Sequence, residues 1–173
     1  MIYETLMETP FGVLRLKSDD EALLYAGFVS TAGMSEADRI TNIERDGRLA
    51  APLALALDWY GRYFDGQAPD PSEVPIRPEG SSFRREVWEI VRQIPYGQVL
   101  SYGEIARIIA ARRGIPRMAA QAVGGAMKAN RIFILIPCHR VIGADGSMVG
   151  YGSLPESLEL KRALLRHEGI LWT

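Results

Sequence analysis

The chemistry in this 173-residue chain centres on a Cys-His pair that follows an apolar run. Cys138 is the only cysteine, and it comes after Pro137 and five apolar residues, 132–136, which predict a short buried strand. A free thiol is mostly protonated at neutral pH, so a nucleophilic Cys138 needs a base such as His139. Adjacent residues leaving a strand point to opposite sides, so we expect a water or a turn to join the pair. The alternative is a small buried cysteine beside a structural histidine.

Composition limits the classes of protein that the chain can belong to. Hydrophobic residues make up 47% and charged residues 24%, as in ordinary globular proteins. One cysteine excludes an internal disulfide framework and a multi-cysteine zinc site. We also expect no metal and no cofactor. No apolar run approaches the roughly 18 residues of a membrane helix, and the first residues do not resemble a signal peptide. We therefore expect a cytoplasmic protein that has no contact with membranes.

The formal net charge of -1 conceals two halves of opposite sign. Residues 1–80 carry 7 Lys and Arg against 14 Asp and Glu, whereas residues 81–173 carry 13 against 7. A basic half favours contact with a polyanion such as nucleic acid. Chance segregation between two lobes is the alternative.

The first half predicts a small antiparallel sheet followed by a helix. Strands are predicted at residues 2–7, 12–17 and 23–29, and apolar residues at helical spacing predict a helix over 49–64. Residues 66–80 contain four prolines and two glycines, a composition typical of an extended linker. We place the domain boundary there, with an N-terminal structural domain over 1–75 and a C-terminal domain over 76–173.

The second half predicts mainly helices. Ser81 or Ser82 can cap a first helix, and Ser101 with Glu104 matches a capping box that opens a second. Pro116 predicts the start of a third helix over 117–128, so that the second and third helices form a helix-turn-helix candidate. A last helix is predicted over 158–167.

The third of these helices is unusually rich in small residues. Glycine in a helix costs about 1 kcal/mol relative to alanine, so something should approach closely enough to offset that cost. A neighbouring helix or a nucleic-acid backbone would do so. The small residues are Ala119, Ala120, Ala122, Gly124, Gly125 and Ala126.

Taken together, the motifs of the second half resemble those of the O6-alkylguanine-DNA alkyltransferases, also called methylated-DNA–protein-cysteine methyltransferases. The resemblance implies an RNase H-like α/β lobe followed by a mainly helical lobe with a winged-helix-like helix-turn-helix. The motifs are Pro95-Tyr96-Gly97, Ser101-Tyr102, Ala122 to Met127, Asn130, Ile136-Pro-Cys-His-Arg-Val141, Gly150-Tyr151-Gly152 and His167-Glu168-Gly169.

The resemblance implies a suicide enzyme of direct-reversal DNA repair, acting as a monomer on double-stranded DNA that contains alkylated guanine. Cys138 would irreversibly accept a methyl or other alkyl group from O6 of guanine, and from O4 of thymine. His139 would take the thiol proton through a water, and Glu168 would anchor it. Tyr102 would donate a proton to the leaving purine, and Asn130 would tie the DNA-binding helix to the segment carrying Cys138.

The resemblance also implies how damaged DNA is bound. The target base would be flipped out of the duplex, at an unstacking cost of about a few kcal/mol, and bound by Val141, Tyr151 and Gly152. The family usually has an arginine in the gap left by that base, whereas this chain has Gln121; residues 153–157 also lengthen the loop after Tyr151. The DNA-binding residues implied are Arg117, Ala119, Ala120, Gln121, Gly124 and Lys128.

Two other functions share some of these features. A lesion sensor without transfer activity would bind DNA and stay unmodified, but related non-catalytic proteins carry tryptophan at the position of Cys138. A helix-turn-helix regulator with an inert thiol is disfavoured by the acidic first half and by the alkyl-acceptor motif.

Overall fold

The structure is a computed structural model that describes residues 1–35, 49–146 and 156–171. The chain divides into two compact units. The first comprises Met1–Glu79 with Arg131–Phe133, and the second comprises Gly80–Asn130 with Ile134–Thr173. In the described parts of the chain, no helix is long and apolar enough to cross a membrane.

The first unit contains the predicted three-stranded antiparallel sheet, in the order β1-β2-β3. Its strands are β1 (Tyr3–Thr9), β2 (Gly12–Ser18) and β3 (Leu23–Val29). The hydroxyl of Thr9 closes the first turn by accepting from the amide of Phe11 and donating to the carbonyl of Gly12. The prediction of this sheet is confirmed.

Helix α1 (Ala51–Phe64) supplies much of the core of the first unit. Its buried face includes Trp59, Tyr60 and Tyr63, and the rings of Trp59 and Tyr63 stack with centroids 5.6 Å apart. The segment that follows is more than a linker. The amide of Leu23 donates to the carbonyl of Pro75, and the carbonyl of Leu23 accepts from Arg77, so part of this segment pairs with β3.

The second unit is mainly helical, as predicted, and has one short parallel pair of strands. Strand β4 (Leu100–Ser101) pairs with β5 (Val141–Ile142), with Leu100 opposite Val141. Helix α3 begins directly after β4, so the pairing brings its first residue, Tyr102, near the Cys138 turn. The helices are α2 (Ser82–Arg92), α3 (Tyr102–Arg113), α4 (Ala120–Lys128) and α5 (Glu156–His167).

Side-chain caps fix the start of α3, where Tyr102 lies. The hydroxyl of Ser101 accepts from the amide of Glu104, and the carboxylate of Glu104 accepts from the amide of Ser101, which confirms the predicted capping box. Gly114 ends the helix in the left-handed region with φ 63°, a conformation that glycine adopts without strain. The position of Tyr102 is therefore set by local sequence as well as by packing.

One predicted element and the start of one predicted helix are wrong. Residues 132–136 form isolated bridges and a turn rather than a strand, because Ile134 adopts φ 74° and reverses the chain. Helix α4 begins at Ala120 rather than at residue 117, because the backbone is still extended at Ala119, where ψ is 128°. Proline at 116 fixes only its own φ, and Ala119 has no side chain that could cap the helix.

Candidate active site

Cys138 opens a single 3-10 turn, Cys138–Arg140, that leads into β5. Its amide donates to the carbonyl of Ile136 at 2.8 Å, and Cys138 is only 3% exposed. Ile134, which precedes it, is the only non-glycine residue with positive φ in the described parts of the chain. Such a backbone costs of order 1–3 kcal/mol in a β-branched residue and persists only where the surrounding structure holds it. The turn at residues 134–135, which leads towards Cys138, is therefore strained.

Asn130 positions the sulfur. Its buried side-chain amide donates to the carbonyl of Ile136 at 3.0 Å and to Sγ of Cys138 at 2.9 Å. Because Asn130 lies two residues after α4, it joins the end of that helix to the Cys138 turn. A donor aimed at sulfur favours the thiolate over the thiol, since hydrogen bonds to the charged form stabilise it.

His139 and Glu168 form a buried pair. Nε2 of His139 lies 2.7 Å from Oε1 of Glu168, and the histidine is fully buried. Burial raises the pKa of Glu168, but hydrogen bonds from His139 and Arg140 and the charge of Arg140 lower it more, so it lies far below its usual range. An ionised carboxylate only accepts hydrogen bonds, so Nε2 carries the proton and Nδ1 has the lone pair.

His139 is neutral at pH 7 in this environment. Burial lowers its pKa below the ordinary 6.5, and the cations Arg140 and Lys161 lower it further, although Glu168 raises it. A neutral imidazole with its lone pair on Nδ1 can accept a proton. The pair thus has the protonation state that a general base needs.

Arg140 is a member of this network that sequence reasoning left without a role. Its Nε and Nη2 both donate to the carboxylate of Glu168 at 2.8 Å, and its Nη1 donates to the carbonyl of Ile94 at 2.7 Å. The guanidinium therefore clamps the C-terminal end of α5 to the turn after α2. The detectable signal was a basic residue within a long apolar run, which is buried only when it is paired.

Gly97 completes the binding of Glu168. The amide of Gly97 donates to Oε2 at 3.2 Å, within a turn closed by a hydrogen bond from Gln98 to Pro95. Its φ is 80°, and a Cβ there would lie 3.4 Å from the carbonyl oxygen of Glu168. Both the turn and the close approach thus favour glycine.

Tyr102 and Lys161 lie together near the sulfur. Burial, and secondarily negative charge at Cys138, raise the pKa of Tyr102 to about 12, so its hydroxyl stays protonated. Nζ of Lys161 lies 5.7 Å from the centroid of the Tyr102 ring and donates to the carbonyl of Val141. Sequence reasoning missed Lys161, although it lies three residues from both Leu158 and Leu164, on the apolar face of α5.

Helix α4 has one packed face and one open face. Val123, Ala126 and Met127 are buried, and the indole of Trp88 donates to the carbonyl of Ala126 at 2.8 Å. A Cβ on Gly124 or Gly125 would meet nothing within 4 Å, so no neighbouring helix in the described parts of the chain approaches these glycines. The exposed residues here include Arg117, Ala119, Ala120, Gln121, Ala122, Gly125 and Lys128.

Comparison with known proteins decides the family. Residues 82–170 match the family model described as "6-O-methylguanine DNA methyltransferase, DNA binding domain". The methylated-DNA–protein-cysteine methyltransferase of Methanosarcina acetivorans is 38% identical over 97% of this chain and 99% of its own. That of Haemophilus influenzae is 34% identical over 98% and 87%. The chain belongs to the methylated-DNA–protein-cysteine methyltransferase family.

Solved structures agree with this assignment. The O6-methylguanine methyltransferase of Mycobacterium tuberculosis has a TM-score of 0.72 and 34% identity, covering 97% of this chain and 93% of that one. A structure titled as the same organism's OGT in complex with DNA has a TM-score of 0.73 and 32% identity, over 95% and 91%. The match to the methyltransferase family thus extends over both units of the chain.

The structure brings together most of the residues that the family resemblance implied. Asn130 contacts Cys138, and His139 contacts Glu168. Tyr151, Gly152 and the lengthened loop at 153–157 lie outside the described residues, apart from the start of α5. Among the described residues, no group of three or more His, Cys, Asp or Glu is placed to hold a metal ion.

Proposed function

We propose that Cys138 is the sacrificial acceptor of an alkyl group from O6 of guanine, and also from O4 of thymine, in double-stranded DNA. The protein repairs the base by direct reversal, once per molecule. The observation that carries this proposal is a lone cysteine held by the amide of Asn130, directly before a buried His139–Glu168 pair. Family membership independently supports alkyl transfer to cysteine.

The first step is loss of the thiol proton. Nδ1 of His139 accepts it through a water, while Nε2–H remains hydrogen-bonded to Glu168. A water relay suits the geometry, since adjacent residues of the turn need not contact each other. Glu168 fixes the tautomer and stabilises the imidazolium that forms.

The second step is in-line displacement at the alkyl carbon. The thiolate forms the carbon–sulfur bond as the carbon–oxygen bond breaks, and the electron pair leaves with the purine oxygen. Tyr102 donates its hydroxyl proton to the purine as that charge develops, so a neutral guanine departs. A thioether does not hydrolyse, which makes the transfer irreversible and stoichiometric.

The flipped base is bound beside β5. Main-chain groups of Cys138 and Val141 bind the edge of the guanine, and Tyr151 and Gly152 cover the ring. The lengthened loop at 153–157 affects which alkyl groups fit. Because a damaged base pairs weakly, extrusion from the duplex costs about a few kcal/mol or less.

The open face of α4 contacts the DNA. Its side chains are small, so the helix can enter the minor groove closely without demanding a base sequence, as a repair protein must. Arg117 and Lys128 bind phosphates next to the small residues Ala119, Ala120 and Gly124. Gln121 is exposed on the same helix. Its side chain fills the gap that the flipped base leaves in the base stack.

Several broader features belong to the same proposal. The first domain, 1–75, is an RNase H-like structural domain, and the second, 76–173, is a winged-helix-like domain whose helix-turn-helix is formed by α3 and α4. The protein acts in the cytoplasm as a monomer and needs no cofactor.

Intact-protein and peptide mass spectrometry tests the proposal. After incubation with a duplex that contains O6-methylguanine, we expect one methyl in place of one hydrogen on the Cys138 peptide, and no change in Cys138→Ser. Protein that binds the duplex but remains unmodified would instead be a lesion sensor. Protein that neither binds preferentially nor reacts would contradict both functions.

A further inference from the structure

Lys161 is a fully enclosed cation that the mechanism above does not use. It is 1% exposed on α5, where Leu164 and Leu165 are completely buried. Burying an ammonium in such surroundings is unfavourable unless it gains specific partners. Proteins seldom retain an enclosed lysine for packing alone.

Two contacts of Lys161 lie at the active site. Its Nζ donates to the carbonyl of Val141, three residues after the sulfur, and lies 5.7 Å from the ring centroid of Tyr102. Burial lowers the pKa of Lys161 to about 8, and negative charge at Cys138 raises it. The ammonium is thus close enough to the sulfur for the two charges to interact.

Two of the buried charged groups that the structure describes at the site are bound to each other. In the described parts of the chain, the buried charged side chains are Arg140, Lys161 and Glu168. Arg140 is bound to the carboxylate of Glu168 through two hydrogen bonds, so these two offset one another. With His139 neutral, an ionised Cys138 places a negative charge close to the ammonium of Lys161.

We propose that Lys161 is a positioning residue that supplies the counter-charge for the Cys138 thiolate and fixes the Val141 carbonyl that borders the base. The proposal rests on the alkyl-transfer function proposed above and assigns part of the activation of sulfur to a group other than His139. No bond to Lys161 is made or broken. Its ammonium keeps its protons while the alkyl group moves to sulfur.

Thiol titration tests this without DNA. Thiolate absorbance is followed against pH in the wild type, Lys161→Met and Lys161→Arg, with the Cys138→Ser titration subtracted to remove tyrosine. An opposite charge nearby lowers a pKa by about 1–3, so the thiol pKa should rise by about 1–3 in Lys161→Met. Lys161→Arg keeps the charge and should retain a low thiol pKa. Arg162→Met removes an exposed cation next along α5 and is the matched control.

Reaction rates test the same variants. With iodoacetamide, and separately with the O6-methylguanine duplex, Lys161→Met should react at least about tenfold more slowly at pH values below the wild-type thiol pKa, and its rate should recover as pH rises past the new thiol pKa. A merely structural lysine would leave the pH profile unmoved. An unchanged thiol pKa in Lys161→Met would overturn the proposal. A wild type that titrates as expected but never accepts methyl from DNA would instead overturn the proposed function.

A measurement on the wild type removes dependence on the folding of a variant. The chain has three lysines, Lys17, Lys128 and Lys161, so their side-chain carbon resonances can be resolved after labelling. Coupling between two charges is reciprocal, so S-methylation of Cys138 should lower the pKa of Lys161 and leave Lys17 unchanged. Equal pKa values of Lys161 before and after methylation would rule out the coupling.

Discussion

Replacement of Glu168 by glutamine should destabilise the protein strongly. The carboxylate accepts from Nε2 of His139, from Nε and Nη2 of Arg140, and from the amide of Gly97. Glutamine removes the charge and turns one of the acceptor oxygens into a donor that faces other donors. Arg140 is then an unpaired buried cation, which costs about 3–5 kcal/mol. That is a large part of a total stability of about 5–15 kcal/mol.

Denaturant unfolding at pH 7 measures this cost. Glu159→Gln makes the same chemical change at an exposed site on α5 and should lie within about 0.5 kcal/mol of the wild type. Arg140→Met and the Glu168→Gln, Arg140→Met double variant complete a cycle. Since the double variant leaves no unpaired charge, it should lose at least about 2 kcal/mol less than the sum of the single variants.

The pH dependence has a definite sign. The folded-state pKa of Glu168 lies below its ordinary 4.5, so its contribution is complete above pH 4.5 and is lost as pH falls towards the folded-state pKa. The difference in free energy of unfolding between the wild type and Glu168→Gln should therefore be constant from pH 6 to pH 8 and should decrease below about pH 4. The view that Glu168 binds both His139 and Arg140 would be refuted by a difference below about 1 kcal/mol at pH 7. It would also be refuted if the effects of the two single substitutions on the free energy of unfolding were additive.

Three further predictions concern Tyr102, Lys161 and Gln121. Tyr102→Phe should slow methyl transfer by at least about tenfold, because it removes the proton donor. The pKa of Tyr102 is about 12, so the wild-type transfer rate should not decline through ionisation of Tyr102 up to pH 10. Such a decline would count against the role of Tyr102 as proton donor. The lowered pKa of Lys161, about 8 instead of 10.5, reduces the free energy of unfolding by about 3 kcal/mol below pH 8. Lys161→Met should therefore have a higher free energy of unfolding than the wild type at pH 7, as measured in urea. This difference should shrink from pH 8 to 10.5, because the unfolded wild type binds more protons than the folded wild type in that range. Gln121→Ala should react more slowly with an O6-methylguanine duplex but normally with free O6-methylguanine base, and equal duplex rates would exclude a wedge at this position.

Local sequence signals predicted most of the elements correctly. The alternation in the first 30 residues, the turn at Thr9 and the capping box of Ser101 and Glu104 act within a few residues, so they can be recognised from sequence. The run at 132–136 could not be assigned in this way. Its apolar β-branched residues favour a strand, but tertiary structure holds Ile134 at positive φ and turns the chain instead.

The missed site residues depend on partners that are distant in sequence. Arg140 finds Glu168 28 residues later, and Lys161 finds Val141 20 residues earlier. A single charged residue on an apolar stretch indicates that a polar partner must be buried with it. The sequence alone does not identify that partner. The family motif supplied Cys138 and Glu168 as separate positions, and only the fold shows that Arg140 shares the carboxylate.

The arrangement of charge favours the proposed thiolate beside a neutral histidine. If His139 and Cys138 formed an ion pair, the imidazolium would add a further buried cation next to Arg140 and Lys161, which already lower its pKa. The thiol proton of Cys138 is therefore more stable on water outside the network than on His139. The charge of Lys161 then offsets that of the sulfur, and Glu168 stays hydrogen-bonded to Arg140 and to Nε2 of His139. In the proposed mechanism, His139 then acts as a relay during proton removal rather than as the lasting partner of the thiolate. The ionisation of Cys138 depends on all of these buried groups. A substitution at Lys161 should therefore change the pKa of the Cys138 thiol even though it leaves the His139–Glu168 pair in place.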